Sequence, residues 1–174
     1  MPIIPFGEHT PIIGDNCFIA PDAWVTGQVK ISNSVTMLFG SVIRGDINRI
    51  EVGAFTNLQE HAVLHTSHGL GDCLVGSYVT VGHHAIVHGA TVHDNCIIGM
   101  GSVILDQAEI GENCIIGAQS LVTMRTKIPA GSLVFGNPAK VIRSLTEQEI
   151  KSIKDSANGY VAVGKKYYEY FNKN

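Results

Sequence analysis

The feature that most restricts what this chain can fold into is a six-residue repeat. From residue 13 it reads IGDNCF, IAPDAW, VTGQVK, ISNSVT, and later IIGMGS, VILDQA, EIGENC, IIGAQS. With the aliphatic residue as position i, the register runs Ile13, Ile19, Val25, Ile31, Met37, Ile43. It resumes after a slip at Val52, Leu58 and Leu64, after another at Val75, Val81 and Val87, and then holds from Val92 to Val134. Position i+4 takes small residues, among them Ala23, Ser41, Ala62, Ala85, Ser102 and Ser120. Such a register suits a β-helix, in which each coil is too small to bury its apolar face alone and stacking supplies the core. The glycines that often follow position i, as in IGD and IGE, suit the turns between short strands.

The cysteines fall into the same register. Cys17, Cys96 and Cys114 occupy i+4, and Cys73, two before Val75, is equivalent. They are expected to be small core fillers rather than disulfides or metal-binding pairs. The repeat ends near Arg143, where SLTEQEI offers Thr146 and Glu149 as a capping box. Ile150, Ile153, Ala157, Tyr160, Val161, Tyr167, Tyr168 and Phe171 follow at helical spacing. The expected division is therefore a β-helix domain over 1–143 and a C-terminal helical segment over 144–174 packing along it. Gly159 and Gly164 are places for that helix to bend.

Bulk properties narrow the function. A chain of 174 residues fits one domain with a sizeable core. A formal charge of −3 advertises no surface for nucleic acid or an anionic membrane. The start, MPIIPFGEHT, lacks the pattern of a signal peptide, and no apolar stretch reaches about 18 residues. A cytoplasmic protein is expected.

The repeat resembles the hexapeptide-repeat family, whose chains coil into a left-handed, three-sided parallel β-helix. The general rule for crossovers favours the right hand, so handedness is implied by the resemblance alone. The resemblance also implies three repeats per coil, hence roughly six to seven coils. On that count Ile43, Leu64 and Val87 lie on one side, one coil above another. Arg44, His65 and His88 each follow one of them and form an outward-facing column. Neighbouring strands are about 4.8 Å apart, so His65 and His88 are near enough to share an ion that needs each nitrogen at ~2.0–2.1 Å. His83 follows Val81 and lies on a different side, near Gln59 and Glu60. A neighbouring subunit could bring it to the pair if three copies packed side against side.

The run VIRGDINRIEVGAFTNLQEHAVLH, followed by VGHHAIVHG, is similar to the γ-class carbonic anhydrase family and its metal-binding homologues. The resemblance covers nearly the whole chain, including a helical tail. Carried over position by position, it implies His65, His83 and His88 as metal ligands. It implies Arg44, Asp46, Asn57 and Gln59 as the polar residues around the metal. It further implies a homotrimer with shared metal sites, two ligands coming from one subunit and the middle one from its neighbour. Zinc is the implied metal, although three imidazoles also accept iron(II) or cobalt. The implied activity is a lyase reaction, the reversible hydration of carbon dioxide to bicarbonate by a metal-bound hydroxide. Gln59 would orient the hydroxide, and Arg44 with Asp46 would shape the pocket. His9, His61 and His93 read as solvated polar residues, and His84 matches no ligand.

The chain departs from the best-characterised branch of that family in two places. That branch carries a glutamate-bearing loop soon after the first ligand, where this chain has TSHGLGDC. It also has a glutamate right after the RGD, where this chain has Ile47. Proton transfer is therefore expected to limit turnover. His68, on the inward register, and Tyr160 are the candidates to replace the missing group. Two other readings stay open: a non-catalytic metal-binding trimer, and an acyltransferase with an acyl-CoA donor. The terminal GNPAKVIR occurs in both enzyme branches and separates nothing. An acyltransferase needs a single histidine base, not three histidines positioned for one ion.

Overall fold

The computed structural model describes residues 3–173. Most strands are two residues long, with i−1 facing outward and i inward, and they stack in parallel into a left-handed, three-sided β-helix. Pairing follows the six-residue register rung by rung. The first face stacks Ile13, Ile31, Val52, Val75, Val92, Ile110 and Ile128. The second stacks Ile19, Met37, Leu58, Val81, Ile98, Ile116 and Val134. The third stacks Ile3, Val25, Ile43, Leu64, Val87, Ile104 and Val122. Ile3 adds a rung below the point where the repeat becomes visible in the sequence. Almost all these side chains are buried, and each such burial contributes about 1.5–3 kcal/mol. A two-residue strand obtains that only from the coils above and below it.

The corners correct one expectation. The glycines at i+1 are not where the chain turns. The left-handed conformation falls at i+3, on residues such as Asn16, Phe55, His61, Tyr78, His84 and Asn95, with φ between 56° and 61°. The i+1 glycines answer to close approach instead. A Cβ on Gly53 would stand 2.4 Å from the carbonyl carbon of Gly76 on the next coil, and one on Gly99 2.5 Å from the backbone nitrogen of Ala118. A methyl group there would hold the coils apart and break the inter-coil hydrogen bonds.

Every departure from six falls at one corner, between the third face and the first. Along the chain, Ile3 to Ile13, Ile43 to Val52 and Leu64 to Val75 are longer steps, and Val87 to Val92 is a shorter one. The inserted residues extend the strand Val42–Val52 and form the loop before the strand Cys73–Val75. His68 sits in that loop and is exposed, not inward, because the insertion breaks the count of four from Leu64.

After the last rung, Ser132–Gly136 pairs antiparallel with Ala139–Ser144 and passes the chain to the helix Glu147–Lys173. The helix runs along the second face, where Ile153, Ala157 and Gly164 are buried. The ring of Tyr167 stacks on Phe18 at 5.4 Å between centroids. Tyr160 packs against the core, and its carbonyl accepts a hydrogen bond from Thr36 Oγ1 at 3.1 Å. Tyr168 and Phe171 of the expected stripe stay exposed. The helix is unbroken at both glycines. Gly164 marks its closest approach, since a Cβ there would lie 2.3 Å from Thr36 Oγ1. Among the described residues, no helix is long and apolar enough to cross a membrane. All four cysteines are free, and three are buried. Burial pushes the Cys73 thiol up to about 12.

The capping box forms as the sequence suggests. Thr146 N–H donates to Glu149 Oε2 at 2.9 Å, and Glu149 N–H donates to Thr146 Oγ1 at 3.2 Å. Arg143 holds both oxygens of Glu149, at 2.8 and 2.7 Å. The Arg143 guanidinium, with the Thr146 amide, lowers Glu149 from 4.5 to about 2. A carboxylate depressed on folding stabilises the native state above its unfolded pKa and loses that effect as pH falls through the folded value. The wild-type melting temperature should therefore fall more than that of Glu149→Gln between pH 5 and pH 2. Solvent screening keeps the difference small. Parallel curves for the two proteins in thermal melts would rule the contribution out.

Candidate metal centre

The sequence-derived site residues fall into two groups on either side of the third face. The first group lies at its far edge, where the strands Val63–His65 and Ile86–His88 end beside the early part of the strand Val42–Val52, which runs on to the first face. His65 and His88 are direct rung partners, and their ring centroids are 5.1 Å apart. Arg44 and Asp46 lie on the coil below and are bonded to each other. Asp46 Oδ1 contacts His65 Nε2 at 3.1 Å, and Arg44 Nη2 lies 3.3 Å from His65 Nδ1. Burial opposes ionisation of Asp46, but the Arg44 guanidinium and His65 outweigh it and hold the carboxyl below its usual range. His65 is pushed below the ordinary histidine value by burial, against the pull of Asp46.

The second group lies at the near edge, between the second face and the third. Gln59 is buried, and its Oε1 accepts the backbone N–H of His83 at 3.2 Å. His83 Nδ1 contacts Glu60 Oε2 at 2.6 Å, with both side chains partly exposed. Asn57 lies on the second face, buried, donating from Nδ2 to Thr80 Oγ1 at 2.9 Å. Its Oδ1 has no hydrogen-bond partner. His84 turns the corner next to His83 and stacks on His61 one coil below, at 5.0 Å. His9, His61 and His93 are exposed. Among the described residues of one chain, no three His, Cys, Asp or Glu side chains converge on a single point.

One participant is absent from the sequence reading. Asp106, on the coil above, places Oδ2 3.0 Å from His88 Nδ1, with its side chain only 8 % exposed. Gly89 makes that contact possible, because a Cβ at 89 would stand 2.2 Å from Asp106 Oδ1. An acidic residue two after a rung position looks like any solvated corner, so only the six-residue count, extended one coil past His88, could have singled it out.

Carboxylates hydrogen-bond one nitrogen of His65 and of His88, from Asp46 and Asp106, while Glu60 lies against His83 at ion-pair distance. An ionised carboxylate only accepts, so the contacted nitrogen carries the proton and the other bears a lone pair. With both rings neutral, His65 Nδ1 and His88 Nε2 are the atoms left with lone pairs; they face each other at 3.1 Å, and Arg44 Nη2 lies 3.3 Å from the first. Two lone pairs at that distance repel, and a cation set between them would relieve the repulsion. Two nitrogens on one tetrahedral ion at ~2.0–2.1 Å stand about 3.3 Å apart. The residues present fit a metal, and the carboxylates behind them are the arrangement that fixes tautomer and raises ligand basicity.

Stacked hexads with an imidazole-lined edge define a hexapeptide-repeat protein. Residues 89–123 match the family model described as bacterial transferase hexapeptide (six repeats). The chain is 43 % identical over 165 residues to a carbonic anhydrase of Geobacillus kaustophilus, covering 95 % of this chain and 90 % of that protein. It is 40 % identical over 159 residues to γ carbonic anhydrase 2, mitochondrial, of Arabidopsis thaliana, covering 88 % of this chain but 57 % of that protein. The chain therefore spans under three fifths of the length of that plant relative. Among solved structures, the Bacillus cereus BC4754 product, described as a candidate acetyltransferase, superposes with a TM-score of 0.92. It is 41 % identical, with 95 % of each chain covered. The chain belongs to the γ-carbonic-anhydrase-like family of hexapeptide-repeat proteins. The names of its relatives divide between two chemistries, so the site has to carry the argument for function.

Proposed function

We propose that the chain forms a homotrimer with one metal ion at each seam, held by His65 and His88 of one subunit and His83 of the next, and hydrates carbon dioxide reversibly there. The observation that carries this reading is that His65 Nδ1 and His88 Nε2 face each other across 3.1 Å with a carboxylate behind each ring. Zinc suits three imidazoles, as do iron(II) and cobalt. When bound, such an ion supplies Lewis acidity and lowers the pKa of water to about 7.

The outer side of the third face supports the assembly. Its i−1 column is Trp24, Val42, Val63, Ile86, Val103 and Leu121, apolar throughout and nowhere fully buried. Corresponding residues of the first face include Lys30, Glu51, Glu109 and Lys127, and those of the second lie along the helix-bearing side. The third face is bounded by His83 on one edge and by His65 and His88 on the other. Copies that turn it toward a common axis bring unlike edges together at equal height. The count of three comes from the family.

The side chains then have distinct tasks. His65, His88 and the neighbour's His83 bind the ion, each oriented by its carboxylate. Gln59, fixed through Oε1, keeps its amide nitrogen free to donate to an oxygen at the seam. Arg44 and Asp46 hold His65 in place and put a fixed positive charge beside the product anion. An acyl-transfer reading has no use for this three-histidine arrangement.

Stopped-flow measurement on fully metallated protein tests the proposal. Hydration should exceed the buffer rate and rise with pH through neutrality. Gln59→Ala should slow it about tenfold or more without releasing metal. No hydration above buffer, with zinc or with iron(II) prepared without oxygen, would leave a metal-binding trimer without this activity.

A further inference from the structure

We propose that His68 carries the reaction's proton from the metal centre to solvent, an assignment that rests on the hydration reading. Each carbon dioxide that combines with water gives one bicarbonate and one proton, and that proton has to reach a base in solution. The carboxylates nearest the ligands are already engaged: Asp46 by Arg44 and His65, Asp106 by His88, and Glu60 by His83. The carrier has to come from elsewhere.

The loop after His65 supplies it. The strand Val42–Val52 holds the loop at both ends. Asn48 N–H donates to Thr66 Oγ1 at 3.1 Å, and Asn48 Nδ2 donates to the carbonyls of Ser67 and Gly71 at 2.7 and 2.9 Å. Arg49 grips Asp72 through Nε and Nη2 at 3.1 and 2.9 Å. Thr66 is buried, and the chain turns at Gly69 and Gly71, both at positive φ. Between these anchors His68 stands exposed at the tip. Asp72 is committed to Arg49, which leaves His68 as the loop's ionisable side chain without a hydrogen bond or ion pair among the described residues.

His68 is three residues from His65, so their Cα atoms are within roughly 11 Å of each other. On this assignment the proton would cross the remaining distance to the seam through solvent water. Imidazole as a side-chain type changes charge between pH 5 and 8, so it both accepts and releases a proton near neutrality. The neutral ring takes the proton from water, becomes imidazolium and returns to neutral by giving it to a buffer base. Arg49 and Asp72 are the charged groups at the base of the loop, and they offset each other. Asn48 is a positioning residue, holding the tip beside the metal edge.

Kinetics and chemical labelling together test the assignment. In dilute buffer, His68→Ala should lower kcat about tenfold while kcat/KM and metal content stay at wild-type values. Added imidazole buffer should restore kcat. Asn48→Ala should lower kcat in the same direction. On the metal-free trimer, diethyl pyrocarbonate followed by peptide mass measurement should label His68 ahead of His65 and His88. Wild-type kcat for His68→Ala in dilute buffer, or protection of His68 from the reagent, would overturn the role of His68 and leave hydration standing. A wild-type protein that hydrates no carbon dioxide would overturn the parent reading and this one with it.

Discussion

Mixing two proteins that cannot hold metal should restore metal binding. His83→Ala removes the ligand at one edge of every subunit, and His88→Ala breaks the pair at the other. Each protein alone should lose affinity by well over about 100-fold, since removing an outer partner of a ligand already costs 10–100-fold. If the site is shared, any mixed ring of three contains one seam where an intact His83 meets an intact His65 and His88. Equal amounts, dissociated and reassembled together, should regain about a quarter of full occupancy. Metal content after gel filtration in the presence of a chelator is the readout. His84→Ala should keep its metal, because His84 turns the corner and stacks on His61. No recovery in the mixture would mean that both edges serve one subunit, and equal loss in His84→Ala would mean that the ligands are misassigned.

Ile86→Asp should take the assembly apart and empty the metal site together. Ile86 stands in the middle of the apolar outer column, paired in register with Val63 below and Val103 above. It faces away from the subunit's own core, so the coil should still fold and the far-ultraviolet spectrum should stay that of the wild type. A carboxylate pressed into an apolar seam without a partner costs several kcal/mol, and a ring of three repeats the penalty at every seam. The solution mass should fall to that of one chain. Metal should be lost although all three histidines are intact, which a purely intrasubunit site would not allow. A variant that remains trimeric would show that the third face is not the interface, and a wild-type mass of two chains would correct the number in the ring.

The stack was legible because a six-residue coil leaves little freedom. Once Ile13 to Val134 are counted off, each rung partner is determined, and with it the neighbourhood of His65 and His88. The apolar third face was legible in principle, one residue before each rung position on that side, from Trp24 to Leu121. It escaped because outward residues in short strands are mixed elsewhere. The turn glycines misled, since the sequence does not distinguish a glycine that turns from one that lets two backbones approach, and Gly53 is the second kind. His68 misled because an insertion suspends the count that placed it inward. Asp106 was missed because its partner is a coil away, and nothing near it in sequence announces a contact with His88. Arg44, Asp46, Asn57 and Gln59 were named together, yet Arg44 and Asp46 lie at one edge of the third face, Gln59 at the other and Asn57 on the second face, a division that the proposed seam would draw into one pocket.

Confining every change of length to one corner has a consequence for how such a chain diversifies. The other two corners keep the six-residue step through all the described coils. The third corner absorbs extra or missing residues without disturbing the coils stacked beyond it, as the long step after Leu64 and the short one after Val87 both demonstrate. The histidine edge lies at that tolerant corner. Its loops can be lengthened, shortened or exchanged while the rest of the molecule keeps its measure, and a designer who wanted new chemistry would graft it there first.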